Sequence, residues 1–201
     1  MTEEQTARLR ITLEDIEPEI WRSVEVPLDM PLKSLHDVIQ AAFGWQDYHL
    51  YEFQIGEKYY GIPDPDGPPW APRIMNAKTT KLQTVVARGI EAFTYTYDFG
   101  DDWRHRVVVE AIGTAEPNTT YPRLLDGKRR GPPEDVGGVP GYFDFLDAVT
   151  TPGDPNGQSL LTWYGGPYDP DDIDTLTIRL RLGTIVKRRR AGKAAYDKRK
   201  S

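Results

Sequence analysis

Three histidines, His36, His49 and His105, and the carboxylates Asp98, Asp101 and Asp102 have the most chemistry to offer in this 201-residue chain. Imidazole with carboxylate oxygens suits zinc or manganese, and such an ion could bring the pKa of a bound water toward neutrality and make it a nucleophile. No two of the histidines have the short spacing of a recognised metal motif, so a site would need tertiary convergence. His49 and His105 fall on the apolar faces of expected strands, beside Tyr51 and Phe53 in one case and Trp103 and Val107 in the other. There an imidazole more often satisfies a core hydrogen bond than holds an ion. No metal or other cofactor is assigned; His49, His105 and Asp98 are the candidates should one bind.

Other reaction centres are poorly supplied. The absence of cysteine removes disulfides, thiolate metal sites and thiol nucleophiles together. The serines, Ser23, Ser34, Ser159 and Ser201, lie in no G-x-S-x-G elbow. Asp64-Pro65-Asp66-Gly67 and Asp169 to Asp174 lack the register of a calcium-binding loop, and turn or helix-cap chemistry accounts for both. The segment Gly131 to Gly141 (GPPEDVGGVPG) could bring backbone amides close to an anion, but matches neither the P-loop nor the dinucleotide fingerprint. Just upstream, Lys128-Arg129-Arg130 could pair with Glu134 and Asp135 or meet a phosphate.

Charge divides the chain. Lys187, Arg188, Arg189, Arg190, Lys193, Lys198, Arg199 and Lys200 put eight of the 25 basic residues into the last fifteen, leaving the body strongly acidic within a net charge of −6. Such a block binds nucleic acid by counterion release, without reading sequence, unless it is simply a solvated end. An acidic body would repel a phosphate backbone unless the tail reached away from it. No apolar run is long enough for a membrane helix and the first ten residues have no signal-peptide core, so a cytoplasmic protein without a membrane partner is expected.

These side chains need a scaffold, and the periodicity describes one. Leu9, Ile11 and Leu13 alternate, then Ile20 to Val26 alternates again, which reads as a β-hairpin. Leu32, Leu35, Val38, Ile39, Ala42 and Phe43 recur at helical spacing between Pro31 and Gly44, predicting an amphipathic helix over 31–44. His49 to Ile55 alternates and breaks at Gly56, the start of another hairpin. Phe93, Tyr95, Tyr97 and Phe99 share a face, as do Trp103, His105, Val107 and Val109 after the Gly100-Asp101-Asp102 turn. Five prolines in residues 62–73 make a surface loop, and Ala115 to Gly141 reads as a long ordered loop of the functional kind. Tyr142 to Val149 suggests a short helix, followed by a turn-rich stretch at 151–172; the residues alone leave 173–186 open between strand and helix.

Taken together, Ile20-Trp21-Arg22, Leu35 to Trp45, His49 to Phe53, Tyr97 to His105, Pro132 to Gly138 and Trp163 to Pro170 resemble the plasmid pRiA4b ORF-3-like family over about residues 8 to 182. The resemblance implies a compact α+β domain with a C-terminal helix, and a family mostly of unknown function. Some members carry a resolvase-type label from mobile elements, which implies an association with DNA. The residues oppose recombination chemistry, since no histidine begins an H-x-x-R set and Ser23 has only Arg22 beside it. Many relatives carry cysteine where this chain has Gly131 and Val136, so if those thiols ligate metal or do redox chemistry in the relatives, this chain has lost it.

The expectation is a single α+β domain at 8–186, with antiparallel hairpins forming a sheet packed by the helix at 31–44 and a C-terminal helix. A flexible N-terminus at 1–7 and a basic, disordered tail at 187–201 flank it. The function expected is that of a non-catalytic binding or accessory domain, its partner a nucleic acid reached through the tail or another protein. A metal-dependent hydrolase or nuclease and a small-molecule or peptide-binding module are the alternatives. The expected surface comprises Asp98, Asp101, Asp102, Trp103, His105, Glu134, Asp135, Gly137, Gly138, Trp163, Tyr164 and Asp169, with Trp103 and Trp163 bordering one pocket.

Overall fold

The computed structural model describes residues 3–68, 70 and 72–200, the side chains of Asp197 and Lys200 excepted. The first hairpin joins β1 (Gln5–Leu13) to β2 (Ile20–Pro27), with Leu9 opposite Val24 and Ile11 opposite Arg22. Alternation sends Ala7, Leu9, Ile11 and Leu13 into the core, where each is at most 1% exposed. Helix α1 (Leu32–Phe43) buries the stripe read from its spacing and stops at Gly44, whose left-handed φ of 91° lets its amide reach back to the Gln40 carbonyl.

Six further strands and three helices lie between α1 and the last helix. They are β3 (Tyr51–Ile55), β4 (Lys58–Gly61), β5 (Ile74–Asn76), α2 (Leu82–Val86), β6 (Ala92–Tyr97), β7 (Trp103–Thr114), β8 (Arg123–Lys128), α3 (Gly138–Thr150) and α4 (Gly157–Tyr164). The eight strands form one sheet in the order β5-β4-β3-β6-β7-β1-β2-β8, antiparallel except for β4 with β5. The domain is α+β as expected.

Helix α5 (Thr175–Lys200) resolves the open segment. A strand would set Leu176, Ile178, Leu180 and Leu182 on one face, whereas the helix splits them into two stripes. Ile178 and Leu182 are buried, while Leu176 and Leu180 are about two-thirds exposed. The basic residues expected as a disordered tail continue this helix, and the acidic body holds them: Arg188 Nη1 lies 3.0 Å from Asp37 Oδ2, and Arg189 Nη2 pairs with Glu4 and, at 2.8 Å, with Asp29. The charge asymmetry between the acidic body and the basic end thus binds part of that end to the fold. At the other end, the segment expected to be flexible enters β1 at Gln5, with Thr6 and Ala7 buried; Met1 and Thr2 lie outside the described residues, as does Ser201.

Smaller departures have local causes. β3 begins at Tyr51, so His49 precedes the strand rather than lining its apolar face. β6 ends at Tyr97 because Asp98 turns to a φ of 55°, and Phe99 points outward. The long loop at 115–141 contains β8, and the turn-rich stretch at 151–172 contains α4.

Candidate functional site

A groove of about 560 Å³ opens where the C-terminal end of α1, the loop Arg130 to Asp135, Trp163 and Tyr164 of α4, and the beginning of α5 meet. Arg22 lies at its inner wall. β2 places this residue on the same face as Ile20, Val24 and Val26, all fully buried, and Arg22 itself is 1% exposed. Its Nε donates to the Ala42 carbonyl at 2.8 Å, and Nη1 donates to the carbonyls of Trp21 and Lys128 at 2.8 and 3.0 Å. No hydrogen bond among the described residues falls to Nη2, and no carboxylate pairs with the guanidinium. Burial pulls its pKa down to about 10, so the buried group remains a cation at neutral pH.

Backbone closeness shapes the groove. A Cβ added to Gly131 would stand 2.3 Å from the Phe43 carbonyl oxygen, so only glycine lets the loop lie against the end of α1. Trp45 Nε1 donates to the Pro132 carbonyl at 3.0 Å, and Arg181 Nη1 reaches from α5 to the Trp45 carbonyl at 2.9 Å. Tyr142 and Tyr168 hydroxyls, 3.0 Å apart, brace the same loop from behind at Arg130 and Gly131.

At the rim, the turn after β6 meets the Glu134-Asp135 loop. Asp98 Oδ1 accepts from the Gly100 amide at 2.9 Å, and Asp101 Oδ2 accepts from the Gly137 amide at 3.2 Å. Glu134 accepts from the Gln46 amide and from the Tyr97 hydroxyl; burial foremost pushes its carboxyl upward. His49 Nε2 lies 2.8 Å from Asp135 Oδ1 and 3.5 Å from Asp98 Oδ2. Desolvation lowers the pKa of this ring, but the hydrogen bond to Asp135 and the charge of Asp98 outweigh it and leave it above the ordinary value.

A second histidine cluster lies under α1. His36 is fully buried, with Nδ1 2.8 Å from the Tyr95 hydroxyl and Nε2 2.8 Å from Asp47 Oδ1. Lys33 Nζ bridges Asp37 at 2.7 Å and Asp47 at 3.1 Å. Burial foremost, then the Lys33 charge, brings the His36 pKa down to about 4 despite the nearby aspartates.

Of the surface expected from sequence, Asp98, Asp101, Glu134, Asp135, Gly137 and Gly138 come together at the rim, with Trp163 and Tyr164 across the groove. Trp103 does not join them. It is 1% exposed in the core, 6.1 Å from the Trp45 ring, and the common pocket with Trp163 is not formed. His105 is also core: its Nδ1 faces the carbonyls of Trp103 and Tyr95, and complete burial lowers its pKa to about 3. It stands in neither histidine–carboxylate cluster. Asp102 is drawn to Arg104, and Asp169 caps its own turn at the Asp171 amide. Arg129 and Arg130 pair with Asp171 and Asp172 rather than with Glu134 and Asp135.

Arg22 and Arg181 were not singled out by the sequence reading. Arg22 had a signal: an arginine on the inward parity of an apolar strand. Of the basic segment, Arg188 and Arg189 are committed to ion pairs; Lys187, Arg190, Lys193 and Arg199 are exposed on α5, and the side chain of Lys200 lies outside the described residues.

A mostly antiparallel eight-stranded sheet flanked by helices, with a groove at one side and a carboxylate–imidazole rim, defines a single-domain α+β protein. The chain belongs to the plasmid pRiA4b ORF-3-like protein family, whose model matches residues 5–177. It is 40% identical over 164 residues to the uncharacterised protein y4hQ of Sinorhizobium fredii, covering 81% of this chain and 82% of that protein. A crystal structure of a protein of unknown function from Methanosarcina mazei is similar with a TM-score of 0.77 and 32% identity, covering 88% of this chain and 97% of the other. Among the described residues no helix is long and apolar enough to cross a membrane.

Proposed function

We propose that the protein is a non-catalytic binding domain that seats a small organic anion, a phosphate or carboxylate, in the groove beside Arg22. The observation that carries this reading is the buried Arg22 guanidinium, which borders the groove without a carboxylate partner. A buried cation is ordinarily paired, and carbonyl oxygens satisfy its donors without neutralising its charge. An anionic group at Nη2 would complete the pair, and Trp163, half exposed on the opposite wall, offers a flat surface for the rest of the ligand. The basic block of α5 supports nucleic acid less well, because Arg188 and Arg189 are spent on the acidic body. An accessory role in DNA transactions therefore rests on the exposed remainder of α5 alone.

Titration of the full chain with adenosine monophosphate and with citrate, followed through backbone amide resonances, tests the reading. Shifts are expected around Ala42 to Gln46 and Arg130 to Asp135. Trp163→Ala, a surface change, is expected to weaken binding several-fold, and Arg22→Met to abolish it. Absence of groove shifts with both probes would overturn the proposal. A 20-base-pair duplex that moves only residues 187–200, in a salt-dependent manner, would transfer binding to the tail.

A further inference from the structure

We propose that His49, Asp98 and Asp135 form a binding site for one divalent transition-metal ion of the zinc or manganese class. The three side chains come from separate stretches of chain: the segment before β3, the turn after β6, and the loop before α3. Their facing atoms lie within 4.8 Å of one another. A tetrahedral ion with bonds of about 2.0–2.1 Å holds its ligand atoms about 3.3 Å apart. His49 Nε2 and Asp98 Oδ2, at 3.5 Å, already have that spacing. His49 Nε2 and Asp135 Oδ1 stand at 2.8 Å and need to part by about half an ångström. The Asp135 side chain, 61% exposed, has the freedom to do so.

Asp98 is the fixed member. It is 8% exposed, and its Oδ1 is held by the amides of Gly100 and Asp101. Its Oδ2 faces only the His49 ring among the described residues, and too far away for a good hydrogen bond. A carboxylate whose side chain is only 11% exposed gains from a cation facing its second oxygen. No lysine or arginine among the described residues forms an ion pair with Asp98 or Asp135. A neutral imidazole and two carboxylates balance the charge of a dication, and three protein ligands leave a position open beside the groove that Asp135 also lines. The site does not depend on the anion proposed at Arg22, and either can be present without the other.

The full chain, stripped of metal with a chelator and exchanged into phosphate-free buffer, is titrated calorimetrically with Zn²⁺ and separately with Mn²⁺. One equivalent of at least one ion is expected to bind, with perturbation of the His49 ring resonances by the diamagnetic Zn²⁺ if that is the ion bound. Asp98→Asn keeps the left-handed turn, because asparagine tolerates the φ of 55° and retains Oδ1 for the two amides. It and His49→Ala are each expected to weaken binding at least tenfold, whereas Asp37→Asn leaves it unchanged. Failure of both ions to bind stoichiometrically, or binding that survives both variants, overturns the proposal. Because no anion is present, neither result bears on the groove ligand.

Discussion

His36–Asp37–Asp47 and His49–Asp98–Asp135 contain the same side chains, and the fold gives them opposite characters. In the first, Lys33 spans both aspartates, Tyr95 closes the far nitrogen of the ring, and the imidazole stacks on Tyr51 at 3.7 Å. Lys33 and, from α5, Arg188 answer the two carboxylates, and burial holds the ring neutral down to about pH 4. In the second no lysine intervenes, the ring is partly exposed, and two carboxylates raise its pKa. The difference lies less in the ligand-type residues than in who else stands near them. A supplied ammonium makes a structural node; its absence leaves a site that asks for a cation.

The comparison can be broken most forcefully at the two rings. His36→Ala removes a buried stacked side chain and leaves the Tyr95 hydroxyl with Gln40 as its remaining partner, so urea unfolding should show a loss of about 3 kcal/mol. His49→Ala, at a partly exposed position, should cost under about 1 kcal/mol. Equal losses would erase the distinction drawn here.

His105 sharpens the contrast, being a buried histidine with no carboxylate at all. Its pKa falls from 6.5 to about 3 on folding, so below pH 6.5 the unfolded chain binds a proton that the folded chain refuses. Stability is therefore full above pH 6.5 and declines as pH falls toward 3. Parallel denaturation curves for the protein and His105→Phe should diverge in slope by about 1.4 kcal/mol per pH unit between pH 6 and 4, the variant being the less sensitive. Parallel slopes would mean that the ring is not held neutral. The smallest effect is expected from Lys33→Met: under about 1 kcal/mol in stability, with the His36 pKa moving upward in an NMR titration because the nearest cation is gone. A downward movement would remove Lys33 from the account of why the first cluster is closed.

Much of this architecture was legible in the sequence. The hairpins of β1–β2 and β6–β7 and helix α1 declare themselves because each buries a regular stripe. β8, α2 and α4 do not, since each is short and fully buries at most two side chains. The acidic rim was visible in the Asp98–Asp102 turn and the Glu134-Asp135 loop, although Asp102 and Asp169 were drawn away by local partners. Trp103 and His105 were misplaced because alternation shows that two residues share a face but not which layer covers it. His49 acquired its partners 49 and 86 residues downstream, a convergence no local pattern carries.

Gly131 limits which substitutions the loop can accept. With the Phe43 carbonyl oxygen 2.3 Å from where a Cβ would be, any side chain at this position would have to move the end of α1. The same approach positions the loop that carries Glu134 and Asp135. Replacement of this glycine is thus coupled to the placement of those two acids and would demand compensating changes in α1, an epistatic constraint on the segment.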